Sequence, residues 1–169
     1  MATGLLLIRA VLGLGLAAHG VQKLSRLFGG YGVAGTGDMF EKLGFRPGRL
    51  MATAAGLAEL GGGLALAAGA ATPLAAAAAI ATMLVAIWSV HLSKGFFAQN
   101  GGYELPLLYA TVAAGIAFVG PGPLSVDAAA GLSLAGGRWG LAAIALGVAG
   151  ALPPLLARQT RAVALTSRT

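Results

Sequence analysis

Four ionisable side chains occupy positions within or at the ends of apolar segments, where they could exchange protons with a bound molecule. Glu59 falls in the middle of an apolar segment at residues 50–71. Other apolar segments end at His19 and His91 or begin at Glu104. The chain holds two His and five acidic residues, so these four account for more than half of the seven. Because an ionisable group at membrane depth costs roughly 3 kcal/mol or more, the pattern predicts a polar site inside a membrane protein.

Glu59 shares one helical face with three small residues, which are Ala52, Gly56 and Gly63. Small residues let a neighbouring helix approach closely, so Glu59 is predicted to face a helix interface. There it either accepts a proton or hydrogen-bonds a bound molecule, or it is a structural partner of the neighbouring helix. The functional interpretation is favoured, because a neutral Gln would supply a structural hydrogen bond without burying a charge.

His91 and Glu104 flank a short segment that joins two apolar runs. Helices joined by a short loop are usually neighbours, so the two side chains are expected within reach of each other. A His with a carboxylate partner shuttles protons near neutral pH. The alternative is helix-end placement, since a Glu near a helix N-terminus also suits the helix dipole.

His19 and Lys23 lie four residues apart and share a helical face, with Arg9 near the same side. This arrangement predicts a cationic pocket at the membrane interface. The alternative is that Lys23 and Arg9 extend to lipid headgroups. Tyr103 is either an interfacial aromatic residue or a ligand contact. The candidate residues are Glu59, His91 and Glu104 for catalysis, and His19, Lys23 and Tyr103 for substrate binding.

The composition is that of an integral membrane protein, with 57% hydrophobic residues, 9% charged residues and a mean hydropathy of +0.84. The net charge of +6 does not indicate nucleic-acid binding, because Lys and Arg fall mostly in loops, as orientation signals do. The absence of Cys excludes disulfides, thiolate metal sites and thiol catalysis by this chain. Without a Glu-x-x-His or His-x-x-x-His pair, or a clear haem or flavin motif, we expect no metal or flavin.

Hydropathy predicts an all-α membrane protein with a four-helix transmembrane bundle and a fifth C-terminal span. The apolar run at residues 50–92 would be about 65 Å of helix, twice the hydrocarbon core, so it must fold back. Thr72-Pro73 is the proline break within that run and predicts a hairpin there. Pro153-Pro154 leaves a re-entrant or interfacial helix as the alternative for the last span. The candidate spans are residues 4–21, two segments within 50–92, 104–119 and 139–156.

The longest predicted loop, residues 22–49, contains a glycine-rich stretch at positions 29–37 that we expect to be irregular. Asp38 and Glu41 predict a capping box for a short amphipathic helix at residues 39–43. A phosphate cradle is the functional alternative for the glycines. It is disfavoured, because no strand precedes them and no long helix follows them.

Basic residues concentrate on one side of the predicted topology. The positive-inside rule therefore predicts that the first loop and the C-terminus are cytoplasmic. If only four spans cross the membrane, the tail arginines lie on the opposite side, and the difference in basic residues between the two sides becomes smaller. With five spans Arg138 lies on the other side, and the shared side carries Lys23, Arg26, Lys42, Arg46, Arg49, Lys94, Arg158, Arg161 and Arg168.

Several of these residues together resemble the DoxX family of small bacterial integral membrane proteins. The resemblance runs from about residue 5 to residue 127, and the last predicted span and the tail lie outside it. The chain is thereby divided into a DoxX-like membrane bundle at 1–127 and an additional helix with a basic tail at 128–169. The matching residues are His19-Gly20 with Lys23, Glu59 with Gly62-Gly63, His91 with Gly95-Phe96-Phe97, Asn100-Gly101-Gly102-Tyr103-Glu104-Leu105-Pro106 and Pro123-Leu124-Ser125-Val126-Asp127.

The resemblance implies a four-helix bundle in the bacterial cytoplasmic (inner) membrane. Some relatives are subunits of a thiosulfate:quinone oxidoreductase, and others accompany oxidative-stress complexes with superoxide dismutase and a sulfurtransferase as partners. We therefore expect a quinone-linked oxidoreductase subunit with quinone as its substrate and Glu59 or His91 exchanging protons. Thiosulfate or a partner subunit would supply the electrons, because the chain has no Cys.

Two further classes of function stay open. The chain could be a non-catalytic scaffold that anchors soluble redox enzymes through Lys42, Arg46 and Arg49 in its basic loop. It could also be a small transporter or channel, which small-residue faces and buried carboxylates allow. The transporter ranks last, because the sequence has no evident inverted repeat.

Overall fold

The computed structural model describes residues 2–159, and within that range the chain is helical without a strand. The fourth helix continues into a π-helical turn, Ile87–His91, and a 3-10 turn, Leu92–Lys94. Further 3-10 turns lie at Leu27–Gly29 and Ala98–Asn100. The α-helices are α1 (Ala2–Leu24), α2 (Gly32–Lys42), α3 (Gly48–Ala68), α4 (Thr72–Ala86), α5 (Glu104–Val119), α6 (Val126–Ala129) and α7 (Gly137–Leu156).

Four of these helical segments are long and apolar enough to cross a bilayer, which confirms the predicted multi-pass α-helical membrane bundle. They are α1, α3, α4 with its extension to Lys94, and α7. The shorter α5 has 16 residues, or about 24 Å of helix. Every predicted span coincides with one of these five helices, and α7 continues through Pro153 and Pro154 to Leu156.

The predicted hairpin lies where the proline break indicated. Gly69 ends α3 in the left-handed conformation with φ of 66°, and the Ala70 N–H donates to Ala65 O at 2.8 Å. Glycine adopts this conformation without a steric penalty, which is why it commonly follows a helix C-terminus. Pro73 then falls in the first turn of α4, where its missing N–H does no harm.

Close approach of backbones joins α1 to α3. A Cβ added at Gly63 would lie 2.5 Å from Gly13 O and 2.6 Å from Ala17 N, so only glycine fits there. α4 packs on α3, α5 and α7, and it contributes its buried alanines, Ile80 and Met83 to the core. The remaining core residues come from four helices, and are Leu12, Leu16, Leu66, Ala113, Ile116, Ala117 and Ala143.

The expectation of an irregular glycine-rich stretch is wrong for most of it, because Gly32 already begins α2. The short helix predicted at residues 39–43 is the end of this longer helix, so Asp38 lies inside it and is not its cap. Tertiary contact overrides the weak helix propensity of glycine here. Gly37 and Gly48 are in backbone contact, which brings α2 against the start of α3.

One end of the bundle carries most of the basic residues that the structure describes. This basic end, defined by Lys23, Arg49, Lys94 and Arg158, is where α1, α4 and α7 finish and α3 and α5 begin. Arg158 Nε donates to Leu43 O at 2.6 Å, and Gln159 N donates to Gly44 O at 2.8 Å. α7 therefore returns to the end that carries the first loop. The tail residues Arg161 and Arg168 lie outside the described residues, and the division at residue 127 stays a prediction.

Candidate functional site

Lys23 and Glu59 form an ion pair that joins α1 to α3. Lys23 Nζ lies 2.5 Å from Glu59 Oε2. Glu59 is 4% exposed, and the Lys23 side chain is 23% exposed. Glu59 faces a helix interface as predicted, because Ala52, Gly56 and Gly63 are buried on the same face of α3. The structure thus brings together one predicted catalytic residue and one predicted binding residue.

A cavity of about 660 Å³ lies at the basic end between α2, α3, α4 and α7, and is called the α3–α4–α7 cavity here. Lys23, Glu59 and His91 all line it. Its size falls in the range of small-molecule sites, which are usually apolar with a few polar groups. Three of the six predicted site residues therefore border one space.

Apolar residues form most of the walls of this cavity, and many of them are small. α3 contributes Ala54 and Ala58, α4 contributes Ala81, and α7 contributes Gly150. Aromatic and larger apolar side chains from α2 and the following loop complete it, including Phe40 and Phe45, whose ring centroids are 5.6 Å apart. A molecule with a polar head and an apolar body matches this division between charged groups and apolar walls.

The π-helical turn of α4 adds Ser89, which sequence reasoning missed. Among the described residues, the buried Ser89 Oγ has no hydrogen-bond partner, although Ser89 lines the cavity. Thr82, about two helical turns earlier on α4, differs from Ser89 because its hydroxyl donates a hydrogen bond to Ala78 O at 3.0 Å. Single π-turns within α-helices occur often at functional sites. A lone Ser in an apolar run was the available signal, but the π-turn itself has no sequence signature.

His91 and Glu104 both bind the backbone of the loop at residues 92–103. His91 Nδ1 lies 2.6 Å from Gly101 O. Glu104 Oε2 accepts from Ala98 N at 2.8 Å. Within residues 2–159 no hydrogen bond joins His91 to Glu104, so the two bind the same loop but do not form a direct pair.

The other predicted residues lie outside the cavity. His19 is exposed on α1, and the rings of Tyr103 and Phe96 pack edge to face with 5.5 Å between their centroids. Of the described residues that line the cavity, none is His19, Tyr103 or Glu104. The structure therefore does not bring His19 to the Lys23–Glu59 pair, and the binding roles of His19 and Tyr103 stay predictions.

Arg9 occupies the opposite end of the bundle from this cavity. It is 1% exposed, and its guanidinium donates to Pro121 O and, at 2.5 Å, to Leu124 O. Asp127 is the nearby acidic group that acts electrostatically on it. Because the segment that follows α5 is fixed in this way, Arg9 has a structural role that the sequence left unassigned.

Comparison with protein families identifies one match. A family model described as DoxX matches residues 4–92, which is more than half of the chain. The match covers α1 to the π-turn, and thus includes Lys23, Glu59 and His91. No curated protein and no solved structure matches the chain. In the part of the chain that the structure describes, no group of three or more His, Cys, Asp and Glu side chains is placed to hold a metal ion.

Proposed function

The chain belongs to the DoxX family, and from this premise we propose that it is a membrane-embedded, quinone-linked oxidoreductase subunit that binds its quinone in the α3–α4–α7 cavity. One observation carries the proposal. A buried ion pair and a histidine border a space whose remaining walls are mostly apolar, with alanine the most frequent residue. A quinone has the matching chemistry, with two polar oxygens on a ring and an apolar tail.

Reduction of a quinone to a quinol takes two electrons and two protons. Lys23 has two N–H groups beyond the one it directs to Glu59, and these are donors for a quinone oxygen. Glu59 and His91 are the groups that exchange protons. Thiosulfate or a redox partner subunit supplies the electrons, because this chain has no Cys and no redox centre of its own is implied.

The membrane and the orientation are part of the same proposal. We place the protein in the bacterial cytoplasmic membrane with its basic end in the cytoplasm. The positive-inside rule supports this orientation, because Lys23, Lys94 and Arg158 share one end of the bundle while Arg138 lies at the start of α7 at the other. Protons for the quinone would then enter from the cytoplasm.

The test measures binding and reduction of decylubiquinone by the purified protein in lipid nanodiscs, with thiosulfate as the donor. Ala58→Leu fills the cavity and is expected to weaken binding at least tenfold. Ala68→Leu is the matched control, because Ala68 is exposed on the same helix and does not line the cavity. Glu59→Gln is expected to retain binding but to lose most of the turnover.

Two results would count against the proposal. Equal binding by Ala58→Leu and wild type would exclude the cavity as the quinone site. Unchanged turnover in Glu59→Gln would exclude Glu59 as a proton carrier. Binding without turnover in the wild type would show that thiosulfate is not the donor, and the reductant would then be sought in a co-purifying subunit.

A non-catalytic scaffold is the second candidate, and the exposed charges of the basic loop favour it. Lys42, Arg46 and Arg49 are all exposed at the basic end. A soluble redox enzyme with an acidic surface would bind them in a salt-sensitive manner. Reversal of the three charges to Glu should then abolish co-purification of the partner from native membranes. Retained co-purification would contradict the scaffold function, while decylubiquinone binding tests the cavity independently.

A further inference from the structure

The loop after the π-turn of α4 is closed by hydrogen bonds at its base. Tyr103 N donates to Gly95 O at 3.1 Å, and Glu104 N donates to Phe96 O at 2.9 Å. The Glu104 carboxylate adds a bond from Ala98 N at 2.8 Å. Glu104 thus holds the loop at two points, through its own amide and through its side chain.

This loop determines which nitrogen of His91 carries hydrogen. Gly101 O lies 2.6 Å from His91 Nδ1, and a carbonyl oxygen only accepts hydrogen bonds. Nδ1 is therefore the donor, and in the neutral ring Nε2 is left as the acceptor. Gly101 has φ of 76°, a conformation that favours glycine. The residue that supplies this carbonyl therefore suits the backbone conformation of the loop.

His91 lines the α3–α4–α7 cavity while its Nδ1 is taken by the loop. Nε2 is consequently the ring nitrogen that remains for a ligand. A hydrogen bond to the second nitrogen commonly fixes the orientation and tautomer of a functional histidine. Glu104 does not line the cavity, and its carboxylate oxygen is engaged by Ala98 N.

We propose that Glu104 is a positioning residue that holds the orientation of His91 through the loop. Nε2 of His91 is then the atom that exchanges a proton with the quinone, and this part of the inference rests on the proposed function. In quinone reduction the Nε2–H bond of protonated His91 breaks and an O–H bond forms on the quinone oxygen. The donor named above supplies the electrons. The ring is then neutral, with its hydrogen on Nδ1.

A positioning role and a direct proton shuttle predict different results for two variants. Gln at position 104 keeps an oxygen that accepts from Ala98 N but removes the ionisable group, so Glu104→Gln should behave as wild type. Glu104→Ala removes the acceptor and should loosen the loop. Glu41→Ala is the matched control, because the Glu41 carboxylate also accepts from a backbone amide, that of Gly48 at 3.2 Å, in a different loop.

The first readout is ¹⁵N NMR of histidine-labelled protein in nanodiscs at about pH 9, where an unperturbed imidazole is neutral. The His19→Gln background leaves His91 as the one labelled side chain, since the chain has two His. We expect the Nδ1–H form in wild type, Glu104→Gln and Glu41→Ala, and a mixture of both tautomers in Glu104→Ala. A dominant Nε2–H form in the wild type, or an unchanged tautomer in Glu104→Ala, would overturn the inference.

The second readout is the turnover of decylubiquinone by the protein with its electron donor. Glu104→Gln should retain kcat, whereas Glu104→Ala should lower it about tenfold with a smaller effect on KM. Equal loss in both variants would overturn the positioning role and support a direct shuttle. If the tautomers behave as expected but the wild type binds no decylubiquinone, the proposed function fails while the control of His91 by the loop stands.

Discussion

Thr72 donates two hydrogen bonds to one carboxylate oxygen of Asp127, one from its backbone N–H at 2.9 Å and one from its hydroxyl at 2.7 Å. The other carboxylate oxygen accepts from Ala71 N at 2.7 Å. Asp127 is 2% exposed. A residue of α6 therefore caps the N-terminus of α4, where unpaired backbone N–H groups and the helix dipole favour a negative charge.

Replacement of this cap should destabilise the bundle. Asp127→Ala leaves three donors without their acceptor, two of them buried on Thr72, and we expect a loss of about 3 kcal/mol, since hydrogen bonds to charged groups contribute about 1.5–3 kcal/mol. The thermal unfolding midpoint in detergent measures it. Asp38→Ala is the control, because Asp38 is exposed on α2. Equal midpoints for the two variants would show that the cap contributes nothing measurable.

Arg9 and Asp127 should be energetically coupled, because each is buried and each holds the segment after α5. Arg9→Met alone removes the donors for Pro121 O and Leu124 O and should cost about 3 kcal/mol. Asp127→Asn added to it should cost less than the sum of the two single changes. A double-mutant cycle of unfolding midpoints measures the coupling, and strict additivity would contradict it.

The Lys23–Glu59 pair should show a penalty for an unpaired charge. Lys23→Met leaves the buried Glu59 carboxylate without its partner and should destabilise the protein by about 3 kcal/mol. Lys23→Met with Glu59→Gln removes both charges and should recover most of that loss. Unfolding midpoints decide between these outcomes, with Lys94→Met as the exposed control. A double variant less stable than Lys23→Met would contradict this account of the pair.

Two glycines two residues apart on α3 should respond differently to the same change. Gly63→Ala places a Cβ against the backbone of α1 and should cost about 1–3 kcal/mol through overpacking. Gly61 has no neighbour within 4 Å of an added Cβ, so Gly61→Ala should be neutral or slightly stabilising through helix propensity. Thermal midpoints of the two variants provide the comparison, and similar values would show that α1 and α3 tolerate separation.

The helices and the direction that Glu59 faces could be predicted from the sequence. Apolar runs of fixed length determine the spans, and the small residues around Glu59 identify its interface because lipid-facing helix sides rarely need them. Thr72-Pro73 predicted the position of the hairpin, because a proline interrupts a helix at its own place in the sequence. These features depend on residues close together in the sequence.

Features that depend on how distant segments pack could not be predicted in this way. Lys23 was expected beside His19, but the packing of α1 on α3 turns Lys23 toward Glu59 and leaves His19 exposed. α2 forms across a glycine-rich stretch because α3 supports it. In the π-turn at Ser89 the backbone hydrogen bonds span five residues, whereas those of an α-helix span four. No residue type predicts this difference.

The length of α5 has a consequence for the lipid around the protein. Its 16 residues extend about 24 Å, whereas a typical hydrocarbon core is about 30 Å thick. Leu105, Leu108 and Val119 are exposed on it, so this helix faces acyl chains. Hydrophobic mismatch of this kind costs fractions of a kcal/mol per Å and is relieved by local thinning of the bilayer. We therefore expect the protein to thin the membrane beside α5, so that acyl-chain length influences where in a heterogeneous membrane it accumulates.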